Sequence, residues 1–367
     1  MLGANVGKPA ALHRALHDPD FAEDGGSLLD SYEHIAILDD DTTIAPDFIH
    51  RCVVRMRGAV AIVVGRTLSA WPAEHRWNVL VGNRMYAYWK FQAGTKRGQS
   101  IFNAVNCVAG SNSMYRSDLL RQVVRADTPY IVDDCFWTHE THRRGLGRIV
   151  YAPEAHAWVQ DPTTLRDWAK QNTRWLWGTF QAMWGHGVLR RASWLDFWYF
   201  ALVLDWFLYV VGAPALFLFL VLTGAGDWIV FLGVYVAGYI VWGALAALAT
   251  GKWRLIVMAP TFVVIDVLYR AIFVYSIYKT IRQPTVTSCR WDSPARYEKE
   301  TPVEEPAVGV LSAGYGIQTR VQEPAVGVLS ARYEHETPVQ EPAVAVRSGR
   351  FDRETPVEDR EGALTHA

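Results

Sequence analysis

Three clusters of side chains in this sequence have the types and spacing to do chemistry. Asp39-Asp40-Asp41 follows the apolar run Ile35-Ala36-Ile37-Leu38, and Asp133-Asp134 stands at the head of an amphipathic stretch. Gln171-Asn172-Thr173-Arg174-Trp175 lies inside a Trp-rich segment. Carboxylates two apart at a strand end, Asp39 and Asp41, offer hard oxygen ligands to a divalent cation beside a diphosphate. Two adjacent acids at a helix start suit removal of a proton from a hydroxyl, one taking it while its neighbour holds orientation. Gln171, Arg174 and Trp175 fall at i, i+3 and i+4 and so share one helical face. Amide and guanidinium N–H groups bind phosphate or sugar oxygens, and an indole gives a pyranose ring a flat surface. Each cluster also has an ordinary explanation. Acids collect at helix N-termini through the dipole and capping, and Trp anchors amphipathic helices near membranes.

The elements that must position these groups are legible in the apolar pattern. Ile35–Leu38 reads as a buried parallel strand whose C-terminal end presents the aspartates, the end where ligands of open α/β sheets gather. Pro46 to Met56 reads as the next helix, and Val60 to Val64 as a second strand. Helices are expected over Arg76–Gln92, Cys135–Arg144 (capped by Gly145) and Thr164–Trp184. Asn106–Arg116 suggests a turn and strand broken by Gly110, and Ile149–Tyr151 a further strand. Residues 1–192 thus form an expected α/β domain.

The solvent then changes. Trp194–Leu222, Trp228–Ala249 and Leu255–Ile281 are each long enough to cross a bilayer core of roughly 30 Å. Arg190 and Arg191 precede the first, and Lys252 and Arg254 separate the second from the third. The turn Gly224–Asp227 has no Lys or Arg, which places it outside and residues 1–192 in the cytoplasm of a multi-pass membrane protein. The third stretch carries Asp266 and Arg270 at i, i+4, a pair expected to face protein or water. It spans, lies at the interface or lines a pore. Residues 193–282 are therefore assigned to transmembrane or interface helices, and 283–295 to a connecting loop.

The remainder, 296–367, is a tandem array. Glu305, Glu323 and Glu341 each open a copy of Glu-Pro-Ala-Val, an 18-residue period. Regular prolines and few large apolar residues point to disorder. A net charge of −1 with no basic patch excludes a nucleic-acid binder. The four cysteines form no CxxC pair or disulfide framework. Met1 to Ala11 contains no apolar core of signal-peptide length.

Taken in order, the motifs resemble those of family 2 processive β-glycosyltransferases, the group of cellulose, chitin and hyaluronan synthases. The family's D-x-D, base motif and Q-x-x-R-W resemble Asp39-x-Asp41, Val132-Asp133-Asp134 and Gln171-x-x-Arg174-Trp175. Asn5-Val6-Gly7-Lys8 is similar to the N-x-G-K stretch, Cys107 to Arg116 to the acceptor-side C-x-x-G…Y-R segment, and Trp291 to Arg296 to the gating loop. The likeness covers about residues 4–296. It implies a GT-A (Rossmann-like) catalytic domain over 1–192 and a UDP-sugar donor. It further implies a growing polysaccharide acceptor, a lipid bilayer around the helices, and Mg2+ or Mn2+ at Asp39 and Asp41.

By the same likeness Asp134 is the general base. Lys8, Asp133, Gly110, Ser111, Gln171, Arg174, Trp175, Trp291 and Arg296 bind substrate, with Gln171 and Arg174 on the diphosphate and Trp175 on the acceptor sugar. The run Asp133-Asp134-x-x-x-Thr138 leans towards polymers containing N-acetylglucosamine. The family's preceding strand, with its acidic uridine-binding motif, has no counterpart before Asn5. The expected sheet is therefore N-terminally incomplete, with an exposed edge. An inactive remnant or a non-catalytic membrane partner is the alternative reading.

Overall fold

Successive residues of the strand His34–Asp39 (β1) are buried on opposite faces, which explains its unbroken apolar run. Ile35 and Ile37 join one core cluster, and Ala36 and Leu38 join another. A strand covered on both faces cannot alternate apolar with polar residues. The computed structural model describes residues 8–22, 26–224, 226–286, 326–331 and 345–346.

The remaining strands are Thr43–Ile44 (β2), Val60–Ala70 (β3), Asn112–Arg116 (β4), Arg148–Gln160 (β5), Val326–Ala331 (β6) and Ala345–Val346 (β7). They form one mixed sheet in the order β2-β5-β3-β4-β1-β6-β7. β4 is antiparallel to both β1 and β3, and β3 is parallel to β5. The C-terminal ends of β1, β3 and β5 therefore share an edge with the N-terminal end of β4. That edge collects Asp39, Gly110, Ser111 and Asp161 from distant parts of the chain.

The helices of the first 185 residues are Lys8–His17 (α1), Leu28–Ser31 (α2), Phe48–Arg55 (α3), Val79–Lys90 (α4), Arg97–Ile101 (α5), Ser117–Val123 (α6), Asp133–Arg144 (α7) and Leu165–Gly185 (α8). α7 takes in both aspartates at its first turn and stops at Gly145, whose φ of 65° is a left-handed cap. α8 is capped by the Thr164 hydroxyl, which accepts from the Asp167 N–H at 3.2 Å. β3 and β5 run well past the short strands expected. Gly65 and the polar residues after it read as a strand end, whereas β3 shifts register there and continues against His156–Gln160.

Among the described residues, three helical segments are long and apolar enough to cross a membrane: 194–223, 227–250 and 254–282. The first comprises Trp194–Phe207 (α9) and Ala213–Thr223 (α10), and the second is Asp227–Thr250 (α11). The third comprises Arg254–Met258 (α12) and Phe262–Arg282 (α13), separated by a single turn at Ala259–Thr261. The most apolar windows of the three are 0%, 11% and 33% buried. The third is thus the one held by the rest of the protein, and it packs along α8. Asp266 and Arg270 face protein, as expected. Their side chains pair at 3.0 Å, and Asp266 Oδ1 accepts from the Tyr209 hydroxyl at 2.6 Å.

Two stretches inside the region expected to be disordered are strands. β6 lies parallel to β1 from His34↔Val326 to Asp39↔Ala331, and β7 pairs with β6. The edge of β1 expected to be exposed is therefore paired. The segment Val-Gly-Val-Leu-Ser-Ala has strand propensity, and an open edge offers it backbone partners. Trp291 and Arg296 lie outside the described residues.

Candidate active site

β1 ends in a tight turn, with the Thr42 N–H donating to the Asp39 carbonyl at 3.0 Å. The turn leaves Asp39, Asp40 and Asp41 half-buried at the sheet edge. Lys8, from the first turn of α1, reaches this point. Its ammonium lies 2.5 Å from Asp39 Oδ1 and donates to the Gly110 carbonyl at 3.3 Å. Lys8 thereby ties β1 to the loop entering β4.

The same loop holds Asp134. The Gly110 N–H donates to Asp134 Oδ2 at 3.0 Å, and the Cys135 N–H donates to Asp134 Oδ1 at 2.7 Å. A Cβ on residue 110 would stand 2.9 Å from Asp134 Oδ2, so only glycine allows this approach. Thr138, one turn along α7, accepts from the Val108 N–H at 3.0 Å and donates to the Asp134 carbonyl at 2.6 Å. The loop and the helix start are therefore bound together at several points.

Burial is the largest influence on the Asp134 carboxyl and pushes it up to about 6. The negative charge of Asp133 adds to the rise, while Lys8 and the two backbone N–H groups oppose it. The thiol of Cys107 lies 3.6 Å from Asp134 Oδ1, and the buried Lys96 ammonium also feels the Asp134 charge. Asp134 is thus a buried carboxyl raised to about 6, the kind of perturbed acid that collects at functional sites. Asp133 Oδ2 is buried without a hydrogen-bond partner.

The residues Gln171–Trp175 sit in the middle of α8. Gln171 and Asn172 are buried, while Arg174 and Trp175 are half-buried. Gln171 and Trp175 of the expected face meet one further residue, Arg84 of α4. Arg84 of α4 donates from Nη2 to Gln171 Oε1 at 2.9 Å and from Nη1 to Asn172 Oδ1 at 3.3 Å. Its guanidinium also lies 4.5 Å from the centre of the Trp175 ring.

Arg84 Nε stands 3.6 Å from Asp161 Oδ1, just past the end of β5. The Tyr88 hydroxyl donates to the same oxygen at 3.5 Å. Burial raises the Asp161 carboxyl to about 6, outweighing the pull of Arg84, and the charge of Asp41 adds to the rise. Asp161 therefore links the aspartate turn to α8 electrostatically. The signal for Arg84 was a charged residue among the buried positions Val81, Gly82, Met85 and Tyr86 of α4.

The structure brings Lys8, Asp39, Gly110, Asp133 and Asp134 into one group, and Gln171 and Trp175 into a second around Arg84. Among the described residues, no bond links Ser111 or Arg174 to either group, and Arg174 Nε is buried without a partner. Asp39 and Asp41 offer oxygen donors only, on a turn that is not sealed from solvent. That donor set fits a hard divalent cation such as Mg2+ or Mn2+ and not a thiophilic one.

Comparison with known proteins gives the family of the chain. The family model for glycosyl transferase family group 2 matches residues 34–259, which include the aspartate turn, α7 and α8. The poly-beta-1,6-N-acetyl-D-glucosamine synthase of Staphylococcus aureus (strain COL) is 27% identical over 161 residues, covering 44% of this chain and 37% of that protein. The synthase of the same name from Staphylococcus epidermidis is 28% identical over 170 residues, covering 46% and 38%. The chain thus spans well under half the length of these relatives. Among solved structures, a mannosyltransferase of Pyrobaculum calidifontis in complex with GDP-Man and Mn2+ overlaps 68% of this chain and 62% of its own, with 14% identity and a TM-score of 0.37.

Proposed function

The chain belongs to glycosyl transferase family group 2, with the GT-A fold, and we propose that it transfers a sugar from a UDP-sugar to the end of a growing β-linked polysaccharide with inversion. The observation that carries this reading is Asp134. It is a buried carboxylate raised to about 6 and held by the Gly110 and Cys135 N–H groups. It stands beside a lysine that also pairs with the strand-end Asp39.

The acceptor hydroxyl gives its proton to Asp134. Its oxygen then bonds to the anomeric carbon from the face opposite the diphosphate, and the bond from that carbon to the diphosphate oxygen breaks. Asp39 and Asp41 would hold Mg2+ or Mn2+, which supplies positive charge for the leaving diphosphate. Lys8, Gln171 and Arg174 supply N–H donors to the same group. Gly110 and Ser111 line the acceptor side, and Trp175 offers the open part of its ring to the acceptor sugar. Trp291 and Arg296 are assigned to the same substrate by resemblance alone. The curated relatives are named for a polymer of N-acetyl-D-glucosamine, which makes UDP-N-acetylglucosamine the first donor to assay.

The protein sits in a membrane with residues 1–192 in the cytoplasm, and α9 to α11 form a hairpin through the bilayer. The third apolar segment begins and ends on the catalytic domain. Phe262 packs on Tyr86 with ring centres 5.4 Å apart. At the other end, the Gln283 carbonyl accepts from Trp177 Nε1 at 3.1 Å and Gln181 Nε2 at 3.0 Å. The Val286 N–H donates to the Pro129 carbonyl at 2.8 Å. Both ends on one side favour an interface helix, which keeps everything after Gln283 cytoplasmic. Export of the product through these helices is part of the same proposal.

The test is incorporation of labelled sugar from a panel of UDP-sugars by membranes carrying the protein. Asp134→Asn should abolish incorporation and leave donor binding intact, and retained incorporation removes the base role. A single cysteine placed at position 284 should react with an impermeant thiol reagent only from the cytoplasmic side. Labelling from outside would make α12 and α13 a third span.

A further inference from the structure

The amide of Gln171 can present either its oxygen or its NH2 to a ligand, and only the second suits a diphosphate. Arg84 decides between them. Its Nη2 donates to Gln171 Oε1 at 2.9 Å, which uses the acceptor end of the amide. Among the described residues Nε2 donates to no protein group, and the side chain is 7% exposed. Nη1 does the same for Asn172, whose own NH2 donates to the Trp168 carbonyl at 2.7 Å.

Arg84 is itself constrained. It is 7% exposed, and Asp161, at 2% exposed, stands 3.6 Å from Nε. The ring of Trp175 lies 4.5 Å from the guanidinium carbon. A planar fork held by a buried carboxylate and an aromatic face has little freedom left to rotate.

We propose that Arg84 is a positioning residue for donor binding: with Asp161 behind it, it grips Gln171 by the carbonyl oxygen and so aims the amide NH2 at the diphosphate of the sugar nucleotide. Arg84 does not itself touch the donor. The proposal rests on the diphosphate role given to Gln171 above. Lysine cannot replace it fully, because a point charge lacks the two parallel N–H groups that engage neighbouring amides.

The experiment is a double-mutant cycle in membranes carrying the full chain, read as donor KM and kcat. Gln171→Ala alone should raise donor KM roughly tenfold, the worth of one hydrogen bond to a charged oxygen, with a smaller change in kcat. Arg84→Lys keeps a cation opposite Asp161. It should raise donor KM severalfold when Gln171 is present and add nothing when residue 171 is alanine. Equal effects of Arg84→Lys in the two backgrounds, or none in either, overturn the inference while leaving the donor role of Gln171 standing. An unchanged donor KM in Gln171→Ala removes that role and the inference together. Asp161→Asn, which keeps the shape and loses the charge, should reproduce the Arg84→Lys pattern. A loss confined to kcat counts against the positioning role.

Discussion

The molecule holds two buried carboxyls of nearly equal character, Asp134 and Asp161. Both are pushed up to about 6, and burial is the largest cause in each. Their neighbours differ. Asp134 is bound through backbone N–H groups at a helix start, with a second acid beside it and a lysine that is shared with Asp39. Asp161 faces a guanidinium already committed to two amides and a ring. A carboxylate fixed by backbone and left its charge can take a proton. One whose charge answers a buried arginine holds structure. On the proposed reading, similar ionisation goes with two different roles, and the partners tell them apart.

The sharpest break of this comparison comes from removing one charge at a time. Asp134→Asn should cut sugar transfer by roughly 10²- to 10⁴-fold, the usual range for a lost general base. Its melting temperature should fall by less than that of Asp161→Ala, because the amide keeps one of the two acceptors for the Gly110 and Cys135 N–H groups and leaves no charge buried without a partner. Asp161→Ala should do the reverse in kind. It leaves Arg84 buried without its countercharge, at a cost of about 3–5 kcal/mol, visible as a clear drop in thermal stability of the detergent-solubilised protein. A stable Asp161→Ala or an unstable Asp134→Asn would erase the distinction.

A smaller effect probes how α8 supports α7. The Cβ of an alanine at position 178 would lie 2.4 Å from Val132 Cγ2, immediately before Asp133. Gly178→Ala should therefore cost about 1–3 kcal/mol as overpacking. It should also disturb transfer more than donor binding, because the start of α7 carries the proposed base. Unchanged stability and transfer would show that the α7–α8 contact yields freely.

The smallest expected change is a shift in pH dependence. With Asp134 as the proposed base, transfer needs it ionised, so activity should fall as pH drops through about 6. The Lys8 charge favours the ionised form. Lys8→Met should therefore move the acid limb of kcat to higher pH, by up to about one unit, the scale of one nearby charge. Movement in the opposite direction, or a limb that survives unchanged in Asp134→Asn, would assign the titration to another group.

Much of this site could be read without coordinates. The strand feeding Asp39, the helix opening at Asp133 and the helix carrying Gln171 are local features. Each depends on apolar runs, caps and spacing within about twenty residues, which the chain carries wherever it folds. The lengths of β3 and β5 were not legible. Gly65 marks a bulge that the partner strand continues past, and a bulge looks like a terminus until its partner is known. The pairing of β1 with β6 was hidden for the same reason, since an edge and its filler lie almost three hundred residues apart.

What the sequence by itself determined is the list of reacting groups and the kind of chain that carries them: acids at strand and helix ends, an amide–guanidinium–indole face, and apolar segments of membrane length. The tertiary structure alone decided which of these groups meet. Lys8 joins Asp39 to Gly110, Gly110 joins that pair to Asp134, and Arg84 turns the Gln171 amide, all across large sequence separations. Contacts of that kind follow from sheet order and helix packing. No local pattern encodes them, because the free energy that fixes them comes from burying several segments at once.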